Sequence, residues 1–262
     1  ITAGTLIEDS LLDSKSNNYL VAIADLGTQT GLAITDVSTG EIFLQSCAAT
    51  QVINILSRLS PSEIICAPDY MGLSDSAELT AISSHQPPEY FSSDFGREQL
   101  QKIYADDFTP SFSAFSRAET AAAGALLGYI ENTQKGKFPY LSRPRHIGTH
   151  SVMDIDPSTI RSLELIRTQS GNRMGSLIDT LDVTVSSSGA RMMQSRLLAP
   201  LRDIAAISGR FDEVASFIDL FDVTKNIRAS LKATPDLERA MGRLSLQRGG
   251  PRDIAALRDG LN

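Results

Sequence analysis

Residues 19–47 hold three apolar segments separated by very short connections. YLVAIAD comes first, GLAITDV follows the turn-like GTQTG, and EIFLQSC follows Ser-Thr-Gly. Apolar runs bounded by such residues read as strands, and links this short join antiparallel neighbours. The spacing predicts a three-stranded meander. VINILSRL then places Val52, Ile55, Leu56 and Leu59 at i, i+3, i+4 and i+7, an amphipathic helix. EIICAPD (63–69) is a short buried strand. YFSSDF (90–95) is expected to be another, with a helix following to residue 104. In SRAETAAAGALLGYIENTQ, Ser116 and Glu119 form a capping box, and Ala118, Ala121, Ala122, Ala125, Leu126, Tyr129 and Ile130 keep one apolar face. Gly124 and Gly128 would let this helix approach a sheet closely. Strands alternating with helices in this order imply an α/β layer with a mixed sheet.

Residues 136–157 contain three prolines and no sustained period, which marks a domain junction. Beyond it the only strand-like stretch is SVMDI. Ser158 is expected to cap a helix over 159–168, and Ser188 or Gly189 the helix that ends before Pro200. Thr234-Pro235 is expected to start a helix with Leu237, Met241 and Leu244 on one face. Gly250-Pro251 starts the last, with Ile254, Leu257 and Leu261 aligned. The second half therefore reads as an all-helical bundle that is incomplete at its C-terminal end. A chain of 262 residues suits two domains. It opens on Ile-Thr-Ala-Gly and stops within a helical pattern, so both ends are expected to be cut from a longer protein.

No apolar run reaches the roughly 20 residues of a membrane span, and no signal peptide is visible. Cys47 and Cys66 lie in apolar runs, which fits buried free thiols in a reducing, cytoplasmic setting. Residues 1–150 carry 9 Lys+Arg against 17 Asp+Glu, too acidic for a general nucleic-acid binder. Residues 151–262 carry 15 against 14, and thirteen of those bases are Arg.

Few residues suggest chemistry. Asp25-Leu26-Gly27-Thr28 ends the first strand and could hold phosphate and Mg²⁺, as in an actin-like ATPase. With Asp69 the same aspartate could serve a ribonuclease H-type nuclease. The alternative is an Asp closing a turn. His146, His150 and Asp154 are spaced four apart, but the residues between them make a poor helix, so linker histidines are preferred to a zinc site. His85 reads as a loop residue. No phosphate-loop or dinucleotide-binding glycine pattern occurs. Arg191 and Arg196, five apart, fall on different helix faces, so at least one faces solvent or an acid.

Longer motifs carry a resemblance. LDVTVSSSGARMMQSRLLAPLRD is similar to the D-x-T-x-T-x-x-G-x-R-x-L-x-x-W-L-x-x-P-L-x-D signature of the DNA mismatch-repair MutS family, through Asp182, Thr184, Gly189, Arg191, Leu198, Pro200, Leu201 and Asp203. RSLELI resembles its R-N-L-E-L through Arg161, Leu163, Glu164 and Leu165. DLERAMGRL resembles its D-L-E-R-x-x-x-R-L through Asp236, Leu237, Glu238, Arg239, Arg243 and Leu244, and GGPRDIAALRDGL continues it. ITAGTLIEDSLLDSKSNNYLVAIA resembles the stretch before the family's connector. Ser162, Met193, Arg196 and Ala3 depart from the pattern.

The resemblance implies a ribonuclease H-like connector domain over 1–145, a junction over 146–157 and the N-terminal part of an all-α core, or lever, domain over 158–262. It implies no catalytic, cofactor or metal residues in this stretch. ATP and Mg would belong to the intact protein, an ATPase that binds mismatched DNA and acts as a homodimer. The segment would relay nucleotide state between ATPase and DNA-binding domains. The helix after SSSG would be structural, with Met192, Met193, Leu197 and Leu198 locking the bundle. The family's connector offers a surface to MutL, and REQL (97–100) matches its R-Q-Q-L stretch except that Glu98 stands for Gln, which removes two donors and adds a charge; Glu98 and Gln99 are the contact candidates.

Overall fold

The computed structural model describes residues 2–27, 29–104, 114–134, 138–147 and 152–261. The first half is a mixed sheet of β1 (Tyr19–Asp25), β2 (Thr30–Asp36), β3 (Glu41–Cys47), β4 (Glu63–Cys66), β5 (Ser83–His85) and β6 (Arg145–His146), in the order β5-β4-β1-β2-β3-β6. β1, β2 and β3 form the antiparallel meander, with Tyr19 opposite Asp36 and Thr30 opposite Cys47. β4, β5 and β6 each join parallel to a neighbour. β1 is apolar at nearly every position because both its faces are covered. Leu20, Ala22 and Ala24 face α4 (Arg117–Thr133), whereas Val21 and Ile23 face α1 (Val52–Leu59). Buried Glu63 accepts the Gly4 N–H at 2.9 Å, the Ser84 hydroxyl at 3.1 Å and the Tyr129 hydroxyl, tying the N-terminal turn, β5 and α4 together.

Several expectations are corrected. YFSSDF is not a strand: Pro88–Phe91 is a 3₁₀ turn, and the Ser92 hydroxyl accepts the Phe95 N–H to start α3 (Ser93–Ile103). The extra strand is instead Ser83–His85, after α2 (Ala77–Ala81), so His85 ends an edge strand rather than lying in a loop. Gly124 and Gly128 face α3 and its approach, not the sheet. A Cβ on Gly124 would lie 2.4 Å from the Gly96 Cα, and one on Gly128 would lie 3.2 Å from the Phe95 ring. Gly31 on β2 admits the helix: its Cβ would lie 2.1 Å from the Ala118 carbonyl oxygen.

The second half is helical: α5 (Pro157–Ser162), α6 (Leu177–Leu181), α7 (Ser187–Leu198), α8 (Ile204–Asp219), α9 (Phe221–Ala233), α10 (Leu237–Ser245) and α11 (Pro251–Leu261). Its caps are shifted from the expected ones, earlier for α5 and α7 and later for α10. Asp156, not Ser158, caps α5, which ends at Ser162 because Glu164 turns left-handed (φ 49°). Ser186 caps α7, accepting the Gly189 N–H at 3.2 Å. Asp236 caps α10, leaving Pro235 outside the helix. Of SVMDI, Ser151 lies outside the described residues, and Val152 makes one bridge to Leu201. Ile160, Leu165 and Leu198 form a small core, while Met192 is exposed, as are Met241, Ile254 and Leu261. α8 and α9 bury no residue. Among the described residues no helix is long and apolar enough to cross a membrane.

Candidate functional site

Three stretches far apart in sequence converge beside the start of β1. The first is a strap, residues 9–17. The second is Asp182 to Arg191, leading into α7. The third is the cap and first turns of α10. The strap lacks buried side chains, so its backbone carbonyls are open to donors. Arg239, only 2% exposed, donates to the carbonyls of Asp13 at 3.0 Å and Ser16 at 2.8 Å. Arg191, 4% exposed, donates to the Ser14 carbonyl at 3.2 Å. The same guanidinium meets Asp236 at 2.6 and 3.1 Å and Glu238 at 2.8 Å. Lys15 reaches out of the strap to Asp182 at 3.0 Å. Arg243 joins Asp253 at 2.9 Å through Nε and pairs with Asp9 through Nη1.

The electrostatics follow from this packing. Thr184, donating its hydroxyl at 2.5 Å, holds the Asp182 carboxyl down to about 2, with Lys15 adding to the effect. Burial raises the Asp236 carboxyl, but Arg191 outweighs it and the group lies below the usual carboxylate range. Burial, then the neighbouring Arg191 charge, lowers the Arg239 guanidinium. Its Nε lacks a hydrogen-bond partner. A buried cation held largely by neutral carbonyls fixes geometry more than it stabilises.

α10 also inserts into the first half. Leu246, just beyond it, is 1% exposed and belongs to the core between the sheet and α4. A Cβ on Gly242 would lie 2.4 Å from the Ser38 carbonyl oxygen, so only glycine admits this approach. The Ser245 hydroxyl accepts the Tyr140 N–H at 3.1 Å. The sequence flagged Asp182, Asp236, Arg239 and Arg243 only as motif positions, and Arg191 also as one of two arginines of which at least one would face solvent or an acid. Arg239 and Arg243, four apart behind an Asp cap, mark one cationic face. Nothing marks their target, because any residue supplies a carbonyl.

The other candidates separate. Glu98 on α3 is exposed beside Arg97, whereas Gln99 is buried at 8% exposure. Asp25 is exposed and accepts the Gly27 N–H at 2.9 Å, closing its own turn; Thr28 lies outside the described residues. Asp69 is exposed after β4. Among the described residues no three His, Cys, Asp or Glu side chains gather as metal ligands. His146 places Nε2 3.1 Å from the buried Glu119 carboxylate, and His150 lies outside the described residues. The fold brings Cys66 Sγ within 3.6 Å of His85 Nδ1. Burial pushes that thiol up to about 11, so at neutral pH it is protonated and a poor nucleophile. Arg196 is exposed, so it is Arg191 that meets the acids.

A family model described as MutS domain II matches residues 18–142, and one described as MutS domain III matches residues 158–262. The chain is 43% identical over 269 residues to the DNA mismatch repair protein MutS of Rhodopseudomonas palustris (strain HaA2). It is 41% identical over 269 residues to that of Nitrobacter hamburgensis and 39% over 263 to that of Roseobacter denitrificans. Each alignment covers 100% of this chain, which spans about 30% of the length of those curated relatives. With both domain matches in order, and with the sheet and helices that those domains require, the chain belongs to the MutS family of DNA mismatch-repair proteins and carries its domains II and III.

Proposed function

We propose that this chain is the connector and core module of a mismatch-recognition protein, and that it relays nucleotide state between an ATPase and DNA-binding domains outside it. The observation that carries the reading is the convergence of Asp182, Arg191 and Arg239 on one strap, with Asp236 holding Arg191. The residues most characteristic of the resemblance thus couple two halves instead of building a reactive centre. ATP and Mg, mismatched DNA and homodimer formation belong in this reading to the intact protein, which works in the cytoplasm; the free, buried cysteines accord with that setting. The module itself performs no catalysis. Turnover of Mg-ATP or single-stranded nucleic acid by the purified chain, abolished by Asp25→Asn, would restore the actin-like or nuclease alternative.

The relay is tested in the intact protein with Arg191→Gln. Basal ATP hydrolysis is expected to persist while its response to mismatched DNA is lost. An unchanged response defeats the reading. For a MutL-type partner, α3 offers exposed Glu98 with Arg97, and Gln99 beside it is buried. Binding of MutL should weaken with Glu98→Ala. Unchanged affinity in both Glu98→Ala and Gln99→Ala removes this surface.

A further inference from the structure

The strap is held unlike the rest of the first half. Ile7 before it is 1% exposed in the sheet core. Asn18 after it is 8% exposed, its N–H donating to Asp36 at 2.9 Å and its amide to the Ala3 carbonyl at 2.9 Å. Between these anchors, residues 8–17 bury no side chain, and Leu11 is 60% exposed. A cavity of about 1020 Å³ lies under the strap, with Tyr19 and Phe43 of the sheet and Met192 of α7 among its walls. The strap therefore borders a void and is secured by cations reaching from the helical half. It has few apolar contacts to break and firm anchors at both ends, the description of a segment that opens locally at low cost. α10 keeps its own hold on the first half through Leu246 and Gly242. The strap's bonds to Arg191 and Asp182 instead tether the segment leading into α7.

We propose that residues 9–17 are a releasable clasp, which opens as a unit while the sheet stays folded and, when closed, fixes α7 and the residues before it against the connector. The clasp goes beyond the relay reading. Its test needs neither DNA nor nucleotide, so its failure would leave that reading standing.

Lys15, half exposed while paired with Asp182, supplies the probe, because trypsin must draw several residues around it into an extended segment, which the bonds to Asp182 and the arginines oppose. The 262-residue chain would be digested under native conditions while amide exchange is followed in β1 to β4. Cleavage at Lys15 is expected in the wild type at a rate nearly independent of low urea, the mark of local opening. Arg239→Gln should speed it about tenfold or more, the loss of charge-assisted hydrogen bonds, with sheet exchange unchanged. Arg239→Lys should fall between, since a point charge cannot span both carbonyls. Should Arg239→Gln fail to fold, Asp182→Asn, which keeps the shape of the side chain, should still accelerate cleavage. The proposal is overturned if wild-type cleavage at Lys15 follows urea as steeply as sheet exchange, or if no folded variant alters its rate.

Discussion

Arg191 and Arg196 lie five apart on α7 and meet opposite environments. Arg191 is buried against Asp236 and Glu238 and holds the Ser14 carbonyl, while Arg196 is exposed. Removing a buried partner strands the other charge. Because Glu238 is half exposed, Arg191→Ala should cost about 2–3 kcal/mol, the low end for such pairs. Arg196→Ala should cost under about 0.5 kcal/mol. Urea midpoints compare them directly, and equal midpoints would contradict the assigned burial. Asp182 gives a matching acid signature. Its folded carboxyl titrates near 2, below the ordinary value of about 3.9. Its stabilising contribution is therefore complete above pH ~4 and fades as pH falls through the folded value. Carboxyl NMR should find that midpoint, and Asp182→Asn should flatten the acid limb of the stability curve. Gly96 tests packing instead of charge. A Cβ there would lie 1.9 Å from the Thr120 carbonyl oxygen, a backbone atom of α4 that cannot step aside. Gly96→Ala should lower stability by about 3 kcal/mol, seen as a depressed Tm, and shift α3 with the Glu98 surface it carries.

α4 and the pair α8 and α9 are extremes of one design variable, buried area. α4 buries twelve residues between the sheet and α3, whereas α8 and α9 bury none and leave Phe211, Phe217 and Phe221 at least 49% exposed. Helices this short owe most of their stability to packing. Amide exchange should therefore be orders of magnitude faster in α8 and α9 than in α4, and comparable protection would show that something covers them. The contrast also explains what could be read in advance. The meander, α1 and α4 were legible because each is set by neighbours within a few residues: period, turn chemistry and a capping box. β5 was missed because Ser83 to His85 carry no strand signature and pair only because β4 presents an open edge. The caps were misplaced because each helix start offers two side-chain oxygens two residues apart, Asp156 and Ser158, Ser186 and Ser188, Thr234 and Asp236, and either could accept the N–H. On α10 the apolar stripe pointed to Leu237, Met241 and Leu244, yet the most buried positions are Arg239, Ala240 and Gly242. That face is chosen by Ser38 and the strap, some two hundred residues earlier, and no local period encodes them.

The two halves are unequal partners in the whole chain. The sheet has two extensive cores, one on each face, whereas the helical half's own apolar cluster is small, Ile160, Leu165 and Leu198, with Ile178 and Ala190 also buried. It also leans on the first half, through Leu246 in that half's core and Arg239 on the strap. Folding units need their own apolar core, and this half lacks one of adequate size. Residues 1–147 alone should thus unfold cooperatively in urea, weakened by about 2–5 kcal/mol for the space that Leu246 vacates. Residues 158–262 alone should show helical circular dichroism but a broad, non-cooperative transition, and should self-associate through the exposed phenylalanines, as sedimentation would reveal. Mixing the two pieces should sharpen the transition only if α10 docks again, and Gly242→Val, which cannot approach Ser38, should abolish the sharpening. A sharp transition for 158–262 by itself would mean that the clasp and α10 join two self-sufficient domains. In the arrangement described here the second half instead takes its shape from the first, so a displacement of the strap is felt by α7 directly.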